Sequence, residues 1–585
     1  MRRLLKLSEV MRMKKLSIEV YAFMDKSPKK YGTYKAVMDD DCILLAIVYS
    51  IDDGNSVVLD IESGQTLSEE LIYSLMRTDI EKNTYNSEFT RLILSKYLNL
   101  QLPIAGWKSI VDMQTYLGFS AISDIYKTFA VEKADNDTIA YFCRTTKPDY
   151  ERNSVADNPD KWKSFLIEIR KDFWNRHLMC EALRKYPMEE YYMDYINLRY
   201  KIKQDGVKVK EAPLRKAMSK EHWSTVEYLF HMCLEFGLDN KKKLLKAIKS
   251  DISLETLPEN ITCNTKHLLS YRTELGYGNL TKFKKLYHRI CPDGYIHGWE
   301  KEKFDIPTVY KKYIDAKSNI GSISFSYLSI GIMAWLSNEQ WIINALNSNT
   351  NIHDKLICKN NLSKENDVDA LYNACMWCGG IWQLEKSGFI KDGSIADYNN
   401  YVVNWRLTNS NIASFWGQIY RAFCYTVMNK KDVKVNKLTF HYEYDNVTIQ
   451  LPSGRKLLYL SPRVEVNNYG EPDIIYSIFN THKEYKQVKA KAGIICRRIV
   501  NSIVDDIIAY YALLLSKQGI TVLSISPKRI MVEYNDSEDL NIINLYLSEN
   551  SPTWSKGLPL LMECQAYVEV KEENEYSKIM DKHIS

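Results

Sequence analysis

The chain has 585 residues and a formal net charge of +5. This length exceeds what a single hydrophobic core supports and predicts about three or four domains. Hydrophobic residues make up 45% of the sequence and charged residues 26%, which excludes a mainly disordered chain. The small positive charge permits a nucleic-acid partner without requiring one.

The cysteines and the N-terminus indicate a cytoplasmic protein. The 12 cysteines are scattered without the spacing of a secreted disulfide framework, so reduced thiols are expected. No apolar run approaches the roughly 20 residues of a membrane span, and no signal peptide follows the basic start. Met1, Met11 and Met13 are alternative start positions, because a predicted strand begins just after Met13.

One close cysteine pair, Cys375-x-x-Cys378, lies in an apolar stretch with helical spacing. A structural zinc site needs two further ligands, and no second pair lies nearby. The pattern therefore favours two buried core positions over a metal site.

Strands and helices alternate in the first third of the chain. Strands are predicted at 16–21, 42–49 and 57–60, and helices at 67–76, 88–98 and 160–185. This alternation indicates an α/β domain that ends near Pro187.

The remainder reads as a mixture of helical and β-rich segments. The pattern is mostly helical at 190–290 and again at 327–430, with a break at 291–298. A β-rich stretch covers 437–467, and a long amphipathic helix covers 491–518. A strand–turn–strand pair follows at 520–534.

Several short motifs occur in a fixed order along the chain. They are Asn86-x-x-Phe89, Trp107, the series Trp162…Asp172…Tyr186-Pro187-Met188, Pro292-Asp293-Gly294-x-x-His297-Gly298, Ala334-Trp335-Leu336-x-x-Glu339-x-Trp341, Trp405-Arg406-x-x-Asn409, Leu451-Pro452-Ser453-Gly454-Arg455, Pro462-Arg463 and Pro552-x-Trp554-x-x-Gly557-Leu558-Pro559. In this order they resemble the family A DNA polymerases of bacteriophages and mobile elements. Each motif alone is weak, and the order carries the resemblance.

The resemblance implies a multidomain α/β and α+β fold, in which an RNase H-like exonuclease domain precedes a polymerase right hand of thumb, palm and fingers. The expected boundaries are 14–190 for a degenerate 3′→5′ exonuclease-like domain, 191–290 for a helical thumb-like region, 291–340 for the first part of the palm, 341–430 for a fingers-like helical region and 431–585 for the second part of the palm.

The resemblance also implies which residues stand at the polymerase metal site. Nucleotidyl transfer in the family uses two Mg²⁺ ions held by carboxylates. Ser324 stands where the family has its first Asp, Ser329 replaces a Glu and Gly331 replaces an Arg. Pro527 or Lys528 occupies the position of the second Asp. Both metal carboxylates are therefore expected to be missing, and a cation there would repel Mg²⁺.

In the family, an Arg and a Lys on a fingers helix bind the incoming triphosphate, and a Tyr lies beside the base. Alignment on Gly379-Gly380 puts Glu365 and Asp369 at the basic positions and Trp377 at the Tyr. Two anions there would oppose nucleotide binding.

The exonuclease-type site is also altered. Ser17 and Thr90 stand at positions where the family has metal-binding acids, whereas Glu19 and Asp172 survive. Glu168 stands where the family has a Tyr. These two acids could together hold one weakly bound metal ion. Two carboxylates rarely suffice for Mg²⁺, so the surviving acids are interpreted as residual surface acids, with no metal site expected.

A cluster of basic residues precedes and enters the long helix that lines the template cleft in the family. Lys and Arg alone suffice to neutralise phosphates, so DNA binding can persist in a chain that has lost its catalytic acids. A solvated basic helix face is the alternative interpretation. The candidate DNA-binding residues are Lys483, Lys486, Lys489, Lys491, Arg497, Arg498 and Asn501, with Asn501 in place of a family Gln.

Three functions remain open from the sequence. The first is a catalytically inactive, DNA-binding or scaffold subunit of a phage or mobile-element replication complex, with no cofactor. The second is an active polymerase or nuclease that needs Mg²⁺ and uses acids from elsewhere in the chain or from a partner. The third is a protein-interaction module without a DNA role, such as a partner of an active paralogue or a virion or defence component.

Overall fold

The computed structural model describes most of the chain. The described residues are 14–119, 134–144, 152–210, 289–297, 314–315, 318–348, 354–355, 357–358, 366–386, 395–468, 470–479, 485–527 and 529–568. Most of the predicted thumb-like region, Lys483, Glu365 and Lys528 lie outside them, as do the side chains of Asp369 and Lys486.

The N-terminal unit is built on a five-stranded sheet. Its strands are β1 (Lys15–Phe23), β2 (Ile43–Ile51), β3 (Val57–Asp60), β4 (Glu81–Thr84) and β5 (Trp107–Ser109), in the order β3-β2-β1-β4-β5. The pairs β3–β2 and β2–β1 are antiparallel, whereas β1–β4 and β4–β5 are parallel. The three predicted strands and three predicted helices of this part are confirmed.

Helices pack on both faces of this sheet, although the last helix named below packs mainly against the C-terminal half of the chain. They are α1 (Pro28–Tyr31), α2 (Thr33–Met38), α3 (Glu69–Met76), α4 (Ser87–Leu98), α5 (Ile110–Tyr116), α6 (Asn136–Cys143), α7 (Pro159–Arg184) and α8 (Glu190–Asp205). The central strand β1 is buried on both sides, because Ile18 and Val20 pack into one apolar cluster while Tyr21 and Phe23 pack into another with α7. A strand buried on both faces is typical of an α/β sheet.

A short antiparallel pair, β6 (Val207–Lys208) and β7 (Tyr295–Ile296), connects the two halves. After it come β8 (Asn319–Ser326) and six helices that confirm the predicted helical region within the described residues. The helices are α9 (Leu328–Ser337), α10 (Gln340–Asn347), α11 (Asn366–Cys375), α12 (Ile381–Lys386), α13 (Ile395–Thr408) and α14 (Ser410–Asn429).

Two further antiparallel sheets follow. One has the order β12-β11-β10-β9 and the other the order β13-β14-β15. Their strands are β9 (Val433–Val435), β10 (Leu438–Glu443), β11 (Asn446–Gln450), β12 (Lys456–Tyr459), β13 (Arg463–Val466), β14 (Pro472–Phe479) and β15 (Tyr485–Lys489). The predicted β-rich stretch is confirmed, but it continues beyond residue 467, so Lys486 and Lys489 lie on a strand.

The last elements complete an antiparallel sheet around β8, which we call the C-terminal sheet. They are α15 (Ala492–Lys517), β16 (Val522–Ser526), β17 (Arg529–Tyr534), α16 (Ser537–Glu549), a 3₁₀ turn (Thr553–Ser555) and β18 (Leu561–Val568). The sheet order is β16-β17-β8-β18. The predicted long helix and strand–turn–strand pair are confirmed.

Helix α15 is long and apolar enough, by length and composition, to cross a membrane, contrary to the expectation from the sequence. Of its most apolar window, 72% is buried inside the fold. It packs against α8, α9 and α14, which is the environment of a core helix.

The Ser453-Gly-Arg455 loop connects the N-terminal unit to helix α15 through hydrogen bonds and an ion pair. Arg455 is 1% exposed and donates to the Tyr116 carbonyl at 2.6 Å and the Thr115 carbonyl at 2.8 Å. Its guanidinium also pairs with Asp506 of α15 at 2.9 Å, and Ser453 donates to the same carboxylate at 2.5 Å. A charge this deeply buried persists only when it is paired and fully hydrogen-bonded.

Candidate functional site

Two groups of side chains correspond to the predicted sites. The first lies on β1 and α7, where Glu19 and Asp172 face the same space and are 4% and 2% exposed. The pocket at Ser17 and Glu19 has room for about 10 Å³, no more than one water molecule needs. The surviving acids are therefore buried residues and not surface ones.

Arg176 occupies the space between these two acids. Its guanidinium donates to Glu19 Oε2 at 2.8 Å and pairs with Asp172 Oδ2 at 2.6 Å. The Tyr85 amide donates to Glu19 Oε1 at 2.5 Å, and the Tyr21 hydroxyl donates to Asp172 Oδ2 at 2.9 Å. Both carboxylates are thus hydrogen-bonded to groups of the chain itself.

The pKa values at this site follow from burial and pairing. Burial raises the pKa of Glu19, although Arg176 and the Tyr85 amide act against the rise. Burial lowers the pKa of Arg176, but Asp172 and Glu19 outweigh it and hold that pKa well above its usual range. Arg176 therefore stays charged and acts as a fixed counter-ion to both acids.

Ser17 and Thr90, the other predicted exonuclease-type positions, make local hydrogen bonds. The Ser17 hydroxyl lies 3.3 Å from Nδ1 of His177, and the Thr90 hydroxyl lies 2.9 Å from that of Thr84. The nearby Asn86 side chain accepts from the Phe89 amide at 3.1 Å and caps α4. These residues have structural partners.

The second group lies on the C-terminal sheet. Strand β8 runs between β17 and β18, and the register places Arg529 and Glu563 opposite Ser324 on its two sides. Directly opposed residues project to the same face of a sheet. The Ser324 hydroxyl donates to the Glu563 carbonyl at 3.4 Å, and the Glu563 side chain is exposed. Ser324 therefore has an arginine as its cross-strand neighbour on one side and a glutamate on the other, and the Arg529 guanidinium lies 5.7 Å from the centroid of the Tyr567 ring.

The other predicted polymerase positions lie near this sheet. Pro527 is exposed in the turn between β16 and β17, and Ser329 is half-buried in the first turn of α9. A Cβ on Gly331 would lie 3.2 Å from the Pro559 carbonyl, which leaves little room for the arginine of the family pattern.

Comparisons with known proteins agree with the overall fold. No family model matches the chain. The DNA polymerase of Bacillus phage SP02 is 24% identical over 639 aligned positions, covering 94% of this chain and 98% of the phage protein. The POL domain of Pol1 from M. smegmatis, solved in complex with DNA primer-template and dNTP, has a similar fold, with a TM-score of 0.55. That alignment covers 96% of this chain and 97% of the Pol1 chain at 12% identity.

The chain resembles family A DNA polymerases. Several motif residues of this resemblance are structural. Glu339 accepts from the Asn411 amide at 3.0 Å near the start of α14, and the Trp341 indole donates to the Thr408 carbonyl at 3.1 Å. Trp335 and Trp416 are buried, while Trp341 and Trp554 pack against the core.

Helix α11, in the region predicted to be fingers-like, ends at Cys375, so Trp377, aligned with the family Tyr, lies in the turn that follows. A Cβ on Gly493 would lie 1.7 Å from the Trp377 carbonyl oxygen, so α15 contacts this turn through a residue without a side chain. Cys375 is buried, but Cys378 is exposed with φ 58°, so the predicted burial is wrong for Cys378. The helical pattern was extended past the true end of α11.

The candidate DNA-binding residues divide into two sets. Lys491, Arg497 and Asn501 are exposed at the start of α15 or on its first turns. In contrast, Arg498 donates to the carbonyls of Leu117 and Leu458, each at 2.9 Å, and Lys489 forms an ion pair with Asp473.

Sequence reasoning missed Arg176 and Glu563 at these sites and did not place Arg529 opposite Ser324. Arg176 follows Asp172 by four residues on a helix, a spacing that signals an ion pair. Glu563 and Arg529 come next to Ser324 only through strand pairing, which no local pattern reveals.

Proposed function

We propose that this chain is a catalytically inactive relative of family A DNA polymerases that binds DNA as an accessory or scaffold subunit of a phage or mobile-element replication complex. The register of the C-terminal sheet carries the proposal, because Ser324 has Arg529 as its cross-strand neighbour. Two-metal phosphoryl transfer needs carboxylates that hold both ions, and a guanidinium beside the site opposes divalent cations.

The N-terminal site supports the same conclusion. Metal binding to Glu19 and Asp172 would require displacement of Arg176, which is hydrogen-bonded to both acids in a buried site. Separation of these charges leaves buried carboxylates without a counter-ion and costs about 3–5 kcal/mol. Hydrated Mg²⁺ gains little from two monodentate carboxylates in return.

Primer extension and 3′-end degradation assays with Mg²⁺ and with Mn²⁺ test the inactivity. We expect no incorporation and no degradation above background under conditions in which the phage SP02 polymerase is active. The comparison variant is Glu563→Gln, because Glu563 is the one carboxylate placed opposite Ser324. Incorporation by the wild-type chain that disappears in Glu563→Gln would overturn the proposal and favour an active enzyme with non-standard acids.

DNA binding is proposed to use the exposed cations at the start of α15. Arg497 and Arg498 are adjacent in sequence but differ in environment, which makes them a matched pair. Arg497→Ala should weaken primer-template binding and lower the slope of log K against log salt by about 1, with unchanged thermal stability. Titration of fluorescent primer-template DNA at several salt concentrations measures both quantities.

Arg498→Ala should act on stability, because its guanidinium is bonded to two buried carbonyls. We expect a loss of about 1.5–3 kcal/mol in the free energy of unfolding. Lys163→Ala, on the exposed face of α7, controls for a change in net charge alone. If DNA affinity is absent at low salt in the wild-type chain, the protein-interaction module without a DNA role is favoured instead.

A further inference from the structure

A cluster of three potential metal ligands lies outside both sites, in the turn around β7. Cys291, Asp293 and His297 bring Sγ, a carboxylate oxygen and an imidazole nitrogen within 4.8 Å of one another. Cys291 and His297 are 5% and 7% exposed, whereas the Asp293 side chain is 48% exposed. The cluster is therefore fixed in the fold on one side and open to solvent on the other.

The orientation of His297 is set by its surroundings. Its Nδ1 lies 2.6 Å from the Gln204 carbonyl oxygen, which can only accept, so Nδ1 carries a proton. Its ring stacks on Tyr34 with centroids 3.8 Å apart. Nε2 then faces Asp293 Oδ2 at 3.1 Å. Two acceptors at that distance require a positive charge between them, supplied either by a proton on Nε2 or by a metal ion.

The Asp293 carboxylate is held in place on its other side. The Tyr295 amide donates to Oδ1 at 2.9 Å, which directs Oδ2 towards His297. A histidine that donates its second nitrogen to a backbone carbonyl, and a ligand carboxylate that is itself hydrogen-bonded, are typical of the outer shell of a metal site.

A second cluster of potential metal ligands differs from this one, because a lysine side chain lies within it. Asp53, His177 and Glu181 also lie within 4.8 Å of one another. There, the Lys15 ammonium pairs with Asp53 at 2.6 Å and with Glu181 at 2.5 Å, so the chain supplies the cation. Within the described part of the chain, Asp293 has His297 as its one ion-pair partner.

We propose that Cys291 Sγ, Asp293 Oδ2 and His297 Nε2 bind a Zn²⁺ ion. Thiolate, imidazole and carboxylate together suit Zn²⁺ better than Mg²⁺ or Ca²⁺, which prefer oxygen ligands alone. Binding replaces the thiol proton of Cys291, which is released to solvent. Three protein ligands leave the fourth tetrahedral position to water or another small ligand.

The fourth position has space beside it. A pocket of about 570 Å³ opens next to the cluster and is lined also by Lys26, Tyr34, Lys35 and Asp39. The Lys35 ammonium is bonded to the Ile290 carbonyl at 2.5 Å, which positions it at the pocket wall. The metal would stabilise the turn around β7, whose His297 contacts the C-terminal end of α8 through the Gln204 carbonyl and the N-terminal unit through Tyr34, a structural role independent of DNA binding.

Metal titration of the full-length chain tests the proposal. The chain is stripped with a chelator, loaded with Zn²⁺ or Co²⁺ and separated from free metal, and bound metal is measured by mass spectrometry. We expect one Zn²⁺ per chain, a thiolate-to-Co²⁺ charge-transfer band and a higher melting temperature with Zn²⁺. Cys291→Ser should abolish the charge-transfer band.

Asp293→Asn is the informative second variant, because Asn can keep the hydrogen bond from the Tyr295 amide while losing the charge. It should fold normally and bind Zn²⁺ about 10-fold or more weakly. Cys378→Ser and His441→Gln change an exposed cysteine and a histidine on β10, and neither should affect binding. Full Zn²⁺ affinity in both Cys291→Ser and Asp293→Asn would overturn the proposal. Absence of bound Zn²⁺ in the wild type after removal of free metal would also overturn it, leaving the hydrogen bond between His297 and Asp293.

Discussion

Replacement of Arg176 by methionine is expected to lower the free energy of unfolding by about 3–5 kcal/mol at pH 8. The variant leaves Glu19 and Asp172, both nearly fully buried, without their shared counter-ion. Urea unfolding followed by circular dichroism measures the loss. Arg170→Met, an exposed position on the same helix, should change stability by no more than about 0.5 kcal/mol.

The loss should depend on pH in a defined direction. Burial already raises the pKa of Glu19 in the presence of Arg176, and without the guanidinium this pKa rises further. A carboxyl with a raised folded-state pKa binds more protons when folded, so stability falls as pH rises through that value. The deficit should therefore shrink towards pH 5. Adding Glu19→Gln and Asp172→Asn to Arg176→Met should restore most of the stability at pH 8. If Arg176→Met is as stable as the wild type, the ion pairs of Arg176 with both acids are contradicted.

Replacement of Arg455 by methionine should cost a similar amount, about 3–5 kcal/mol, because Asp506 is fully buried and loses its partner. The carbonyls of Thr115 and Tyr116 also lose their donor. Thermal and urea unfolding measure the change, and Arg463→Met, at a partly exposed arginine, is the control.

A double variant separates charge from packing. Arg455→Met combined with Asp506→Leu removes both charges, and we expect it to be clearly more stable than Arg455→Met alone. Equal stability of the two variants would mean that the backbone carbonyls, and not the ion pair, account for the loss.

Long, regular segments were predicted well from the sequence. Strand β1 and helices α7 and α15 have sustained apolar patterns, and their positions are confirmed. Strand β4 was missed because its residues, Glu-Lys-Asn-Thr, have no apolar alternation. Its Lys82 is fully buried and donates to the Ile80 carbonyl at 3.0 Å, a burial that only the tertiary structure determines.

The candidate sites were predicted less completely. The resemblance gave the positions Ser17, Glu19, Asp172 and Ser324, but their roles stay predictions. The resemblance did not identify the charged residues that surround these positions and determine whether a metal ion can bind. Arg176 reaches Glu19 across 157 residues of sequence, and Arg529 and Glu563 reach Ser324 by strand pairing. Such contacts depend on topology, for which a single sequence contains no periodic signal.

The contact between Arg455 and Tyr116 also affects how the chain folds during its synthesis. The two residues are 339 positions apart. At a translation rate of roughly 5–20 residues per second, a ribosome needs about 20–70 s to add the intervening chain. For that time the nascent N-terminal unit has the carbonyls at its edge bonded to water. The N-terminal unit therefore acquires these hydrogen bonds only once the last quarter of the protein is being synthesised.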